Sequence, residues 1–278
     1  MNREKITRLL PAYRHGTDTP WGGDALHRLF CLAIPDAHTG EALVFSTLPG
    51  LESRAEDGRA LSEWAGRPLP LLVKLLDARR TLSVQVHPGD TPAGRGKEEA
   101  WLILHAEPGA RLVHGLLPGA QLPDHPGAGI EACLRWVPVK VGDILHIPPG
   151  TVHAIGAGIV LLEVQQASDV TYRLWDWGSD RALHWREAMA ALRTEAPPPT
   201  QQGSLEGTHL GMAVLTVSGR MPLPEAAGFQ CLTALGAGRL LRGGEKVPFV
   251  CGDTLYVPEG GGAIDIEGQC SIVRAWAR

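Results

Sequence analysis

The chain has 278 residues, 44% of them hydrophobic, which is enough to bury a sizeable core in one large or two ordinary domains. A formal net charge of −4 supplies no basic field of the kind that holds nucleic acid, and no lysine-rich run suggests a membrane surface, so small polar molecules are the expected partners. The charged opening Met1–Leu10 lacks the apolar run of a signal peptide, and no segment approaches the roughly 18 apolar residues of a membrane helix, so a cytoplasmic location is expected.

Along the chain, 34 glycines and 22 prolines punctuate short apolar or alternating runs. Helical patterns are few: Ala60 to Trp64, a short turn near Leu71–Leu76, and His184 to Arg193, where Ala188, Met189, Ala191 and Leu192 form one apolar face. The runs Leu82–Val86, Ala100–Leu104 and Ile159–Val164 read as strands, and many short strands between turns predict a mainly β sandwich or barrel. The polar, proline-rich stretch Thr194–Gly203 suits neither a helix nor a central strand and is the expected linker. Gly142-Asp-Ile-Leu-His-Ile-Pro-Pro-Gly150 recurs as Gly252-Asp-Thr-Leu-Tyr-Val-Pro-Glu-Gly260. This repeat marks either two β-barrel units or only a common hairpin signal. Two units would divide the chain into residues 1–195 and 204–278. The five cysteines, Cys31, Cys133, Cys231, Cys251 and Cys270, are odd in number and form no CxxC pair, so they are expected to be buried thiols.

In Gln85-Val-His87 the glutamine and histidine stand two apart, so on an extended strand both project from one face. Glu99 precedes the next apolar strand, and His153 follows the Pro-Gly turn at 149–150. Taken singly, His87 and His153 are most simply ordinary core or loop histidines. Taken jointly, both stand at strand ends, where barrel mouths bind ligands, and a set of two imidazoles, one carboxylate and one amide oxygen suits a divalent metal, most plausibly Zn2+, with a position left open. The second copy of the repeat cannot reproduce this site, because Ala263 stands where His153 would fall and no histidine follows His209. His105 and His146 lie within strand-like runs and read as core residues, while His114 and His209 read as packing or surface residues.

The segment Gly142 to His153 resembles the second motif of cupins, with Ala157 in place of the usual asparagine. More specifically, Leu82-Ser-Val-Gln-Val-His-Pro88, Gly96-Lys-Glu-Glu-Ala-Trp101, Pro149-Gly-Thr-Val-His-Ala154 and Glu163-Val-Gln-Gln-Ala-Ser-Asp169, followed by Thr171-Tyr-Arg173, resemble the type I mannose-6-phosphate isomerases in their short bacterial form. The resemblance implies a bicupin of two jelly-roll barrels. It implies one zinc held by Gln85, His87, Glu99 and His153, a small sugar phosphate as substrate, and proton movement between C1 and C2 through a cis-enediol. It implies catalytic roles for Lys97, Asp169 and Arg173 beside the substrate. The sequence carries no phosphate-binding glycine loop, so Ser83, Lys74 and Arg173 are the candidates to hold the phosphate. Each has a plainer alternative: a solvated Lys97, a structural Asp169–Arg173 pair, a strand-edge Lys74. Which group acts as general base is left open. Gly96 stands where longer relatives carry histidine, so a ring-opening role for that histidine is not transferred, and Trp175 and Trp177 could line the sugar site or belong to the core. A sugar-phosphate sensor without turnover and an iron-dependent cupin oxygenase are the rival readings. Retention of Lys97, Asp169 and Arg173 weighs against the first, and Gln85 against the second.

Overall fold

A computed structural model describes residues 5–92 and 94–278. The chain is mostly β and cupin-like, built on three antiparallel sheets. The first orders the strands Ile144–Ile147, Glu99–Ala106, Ile159–Gln166, Leu71–Ala78, Glu41–Phe45 and Ala12–Arg14. The second orders Tyr172–Trp175, Val84–Val86, His153–Ala154, Arg111–Leu116 and Leu134–Pro138. The third contains every strand after residue 203 together with Thr7–Leu10 and Arg54–Ala55 from the N-terminal part.

The six-stranded sheet lies in the middle. Leu71, Val73 and Leu75 project from one of its faces into a core shared with Met212, Tyr256 and Val273 of the third sheet. Leu76, Trp101, Ile103 and Leu161 pack on the opposite side, with Leu112 of the second sheet. This corrects the reading of Leu71–Leu76 as a turn: the segment is an eight-residue strand, Leu71–Ala78, buried throughout. A strand covered on both faces loses the alternation that marks a half-buried one, so its run is apolar without a period. Burying each such leucine or valine stabilises the fold by about 1.5–3 kcal/mol. The five-stranded sheet is covered outside by the helix Trp185–Ala191, whose Ala188 packs with Val84, Val113 and Leu174. The helix Leu61–Ala65 overlaps the expected segment Ala60 to Trp64, displaced by one residue, whereas the short helix Ala25–Phe30 was not read from the sequence.

Both copies of the Gly-Asp repeat form the same turn in different sheets. Gly142 and Gly252 have φ of +91° and +90°, which favours glycine at both. Gly142 N–H donates to the Ile103 carbonyl and Gly252 N–H to that of Ala234, each at 2.9 Å. The Asp143 and Asp253 side chains accept from Lys140 N–H and Val250 N–H, again each at 2.9 Å. The segment 194–203 contains no helix or strand, and its Gln201 exchanges backbone hydrogen bonds with Ile144. The cysteines differ from expectation. All five are free, but only Cys133 and Cys231 are buried, and Cys31 is exposed in a left-handed conformation at the end of the first helix. No helix among the described residues is long and apolar enough to cross a membrane.

Candidate metal centre

The first and second sheets face one another, and the side chains on their inner faces make the site. Within the second sheet, Gln85 stands directly opposite His153 on one side and Arg173 on the other, so the three share a face. Within the first, Trp101, Glu163 and Lys74 form one cross-strand row and share theirs. Beyond His87 the chain returns, so that residues 96–97 run against residues 88–90. Lys97 N–H donates to the Pro88 carbonyl at 3.0 Å, and Gly96 N–H donates to Asp90 Oδ1 at 2.5 Å. A Cβ on Gly96 would lie 2.5–2.8 Å from the backbone of residues 88–90, so only glycine lets the two passes approach closely enough to bring His87 beside Glu99.

His87, Glu99 and His153 converge, and one ligand atom from each lies within 4.8 Å of the other two. All three are buried, at 1%, 0% and 0% exposure. His87 Nε2 lies 3.1 Å from Glu99 Oε1 and 3.2 Å from His153 Nε2. His153 Nδ1 is 2.9 Å from the Thr151 carbonyl, so that nitrogen carries the proton and the Nε2 lone pair points into the cluster. Neither Glu99 oxygen accepts a well-directed hydrogen bond, although Lys97 Nζ stands 2.7 Å from Oε1 as an ion pair. Burial, then the charge of Lys97, pushes His87 down to about 3, and burial pushes His153 down to about 4. Burial opposes ionisation of Glu99, but Lys97 and the two histidines outweigh it and hold the group well below the usual carboxylate range. Neutral imidazoles and an ionised carboxylate are the protonation states a divalent metal requires, and buried carboxylate oxygens without directed partners are what such an ion would satisfy. Gln85, beside His153 on the same face, is placed to add an amide oxygen.

A cavity opens next to this cluster, bounded by Gln85 and Lys97 among others. Its lining carries five cationic side chains, Arg14, Lys74, Lys97, Arg173 and Arg181, against three carboxylates, Asp18, Glu41 and Glu163, a balance suited to an anionic small molecule. Ser83, Lys74 and Arg173 all line it. Lys74 is no strand-edge residue: its strand runs between Ile159–Gln166 and Glu41–Phe45, and its Nζ lies 3.4 Å from both Glu41 and Glu163. Burial lowers the Lys74 pKa, yet those two carboxylates reverse the effect and raise it. Arg173 donates through Nη1 to the Ala182 carbonyl at 2.8 Å, and its buried Nε has no partner. Asp169 is not among the lining residues. It is half exposed and pairs with Arg14 at 2.6 Å rather than with Arg173.

Sequence reasoning passed over Glu163, Glu41 and Arg14. Trp101 Nε1 donates to Glu163 Oε2 at 2.9 Å, and from Glu163 an ionic chain runs through Lys74, Glu41 and Arg14 along the cavity wall and ends on Asp169 outside it. The available signal was a lone charge within the apolar run Ile159–Val164. Of the remaining histidines, His105 is exposed rather than part of the core, His146 is half-buried against Glu98, and His114 is buried. Trp177 donates to the Leu82 carbonyl at 2.8 Å, and Trp175 to Glu131 at 2.8 Å. Neither tryptophan lines the cavity.

Fold and site together define a cupin-like protein in which two buried histidines and one buried carboxylate, a set that could hold a metal, stand beside a cationic pocket. The family model for the catalytic domain of phosphomannose isomerase type I matches residues 36–109. Mannose-6-phosphate isomerase ManA of Bacillus subtilis is 32% identical over 91% of this chain and 94% of its own length, and the mannose-6-phosphate isomerase of Streptococcus mutans is 32% identical over 91% and 93%. The crystal structure of the Bacillus subtilis mannose 6-phosphate isomerase superposes with a TM-score of 0.85 at 26% identity, covering 98% of this chain and 99% of that one. The chain belongs to the type I phosphomannose isomerase family.

Proposed function

We propose that the chain is a zinc-dependent aldose–ketose isomerase interconverting mannose 6-phosphate and fructose 6-phosphate. The observation that carries the proposal is the convergence of His87, Glu99 and His153 against a cavity rich in arginine and lysine, in a chain similar along nearly its whole length to isomerases of that substrate. His87, His153 and Glu99 would hold the metal, with Gln85 as a fourth donor. Zinc bound there supplies a Lewis acid that polarises oxygen.

The reaction removes the proton on C2 of the open-chain aldose, and the electron pair left behind forms the C1–C2 double bond while the carbonyl oxygen on C1 takes up a proton. The hydroxyl on C2 then loses its proton to become the ketone, and C1 receives a proton. Negative charge develops on the two oxygens, and Arg173, which lines the cavity and has a buried Nε without a partner, is the cation we assign to it. We assign the proton transfer to Lys97, which touches both Glu99 and His87. Glu163 is the second candidate, since burial and then the charge of Glu99 raise its pKa and favour a carboxyl that both gives and takes a proton. Ser83 and the cationic side chains of the cavity, the buried Lys74 included, would receive the phosphate. Asp169 acts in this reading by orienting Arg14. The same reading treats residues 1–195 as the catalytic unit and 204–278 as a smaller metal-free unit, joined by the N-terminal strand Thr7–Leu10, which pairs with Thr254–Val257.

Turnover in deuterated water tests the mechanism. A cis-enediol route incorporates solvent deuterium at C1 of the fructose 6-phosphate, and its complete absence would point to direct hydride transfer instead.

A further inference from the structure

We propose that Glu98 is a positioning residue through which the C-terminal segment sets the geometry of the metal centre, an inference that rests on reading His87, Glu99 and His153 as the ligands. Glu98 stands between Lys97 and Glu99, and adjacent residues of an extended segment project in opposite directions. While Glu99 points into the cluster, Glu98 points toward the third sheet. Its carboxylate is 1% exposed and accepts three hydrogen bonds, from His146 Nε2 at 2.7 Å, Thr208 N–H at 2.8 Å and His209 N–H at 2.7 Å. Two of the donors are backbone groups of the turn that joins Ser204–Glu206 to Leu210–Pro222. A buried carboxylate is tolerated only when its acceptors are filled in this way, so the turn and the carboxylate fix each other.

The turn has little freedom to move away. Arg278 holds it from the other side, donating through Nη1 to the Gly207 carbonyl at 2.6 Å and through its backbone N–H to the His209 carbonyl at 3.0 Å. Gly207 lies so close to Glu98 that an added Cβ would stand 3.0 Å from its Cδ and 3.2 Å from His146 Nε2. The backbone at 98 is pinned as well, since its N–H donates to Gln166 Oε1 at 2.9 Å and its carbonyl accepts from Gln166 N–H at 3.1 Å. A displaced 98–99 peptide therefore carries Glu99 and Lys97 with it.

The test compares the full-length chain with Glu98→Gln, Gly207→Ala and His209→Ala. It reads zinc affinity by competition with a chromogenic chelator, the thermal midpoint, and turnover of mannose 6-phosphate. Glu98→Gln puts an amide N–H₂ among three donors, and Gly207→Ala pushes the turn off an intact Glu98. Both should weaken zinc by about tenfold and lower kcat to a similar degree, with KM within twofold. His209→Ala keeps the backbone donor and removes only a half-exposed ion pair with Asp90, so it should stay within twofold of wild type throughout. If Glu98→Gln does not fold, Gly207→Ala carries the test alone. A lowered thermal midpoint with unchanged zinc affinity and kcat would make the contact merely structural and overturn the inference, as would a defect in Glu98→Gln that Gly207→Ala does not share. A wild-type chain that binds zinc without turning over the sugar sinks the isomerase reading and leaves the zinc comparison to decide this one. A wild-type chain that binds no zinc sinks the ligand assignment and this inference with it.

Discussion

Replacing Lys74 by methionine exposes what the buried ionic chain contributes. Lys74 is 3% exposed and is the only cation within 4 Å of Glu163 among the described residues, at 3.4 Å, with a second contact of 3.4 Å to Glu41. At an effective dielectric of about 20, a unit pair at that separation is worth about 5 kcal/mol, against a desolvation cost of several kcal/mol for burying the ammonium. Breaking a buried pair while its partner carboxylate stays behind costs about 3–5 kcal/mol, which in a chain of this size lowers the thermal midpoint by roughly 10 °C. The loss also depends on pH. Without the lysine, the folded-state pKa of Glu163, already raised in the wild type by burial, rises further above its unfolded value. Stability is then retained below the unfolded carboxyl pKa and lost as pH rises through the folded one, so the deficit at pH 7.5 should shrink by pH 5. Thermal unfolding of metal-free wild type, Lys74→Met and Lys74→Met/Glu163→Gln at both pH values measures this. The double variant, which removes the stranded charge, should recover a large part of the loss. A single variant within 2 °C of wild type at pH 7.5, or a deficit that grows on acidification, would refute the reasoning.

Other expectations follow from individual contacts. His153→Ala removes a ligand and should abolish turnover together with most bound zinc, whereas Arg173→Ala should keep zinc and lower kcat by at least about a hundredfold, checked by metal analysis beside steady-state kinetics. His114, pushed down to about 4 by burial, lies below its ordinary value of 6.5, so it contributes stability above pH 6.5 that is lost as pH falls toward 4. At pH 5 that loss is about 2 kcal/mol, and His114→Gln, which keeps a donor for the His146 carbonyl, should flatten the acid slope of unfolding free energy.

The candidate metal site could be assembled from the sequence because its spacing carries geometry: Gln85 and His87 two apart on a strand, and His153 after a glycine turn. Other parts could not be read for identifiable physical reasons. The strand Leu71–Ala78 is covered on both faces, so its period is erased. Thr7 pairs with Tyr256, a partner no local pattern announces. Glu163, Glu41 and Arg14 are single charges whose partners lie on separate strands, and only the cross-strand register shows that Glu163 faces Lys74. Asp169 shows the reverse difficulty. Its position in a motif suggested the substrate, while its side chain turns to Arg14 outside the cavity lining. Glu98 was passed over beside Glu99, because what distinguishes it is a turn more than a hundred residues away.

The most direct test of the central claim is a coupled assay of the purified chain with mannose 6-phosphate, before chelation, after exhaustive chelation, and after zinc is returned. The account predicts turnover that chelation abolishes and zinc restores. Turnover that survives complete removal of the metal, or zinc-loaded protein with no turnover at all, would contradict it.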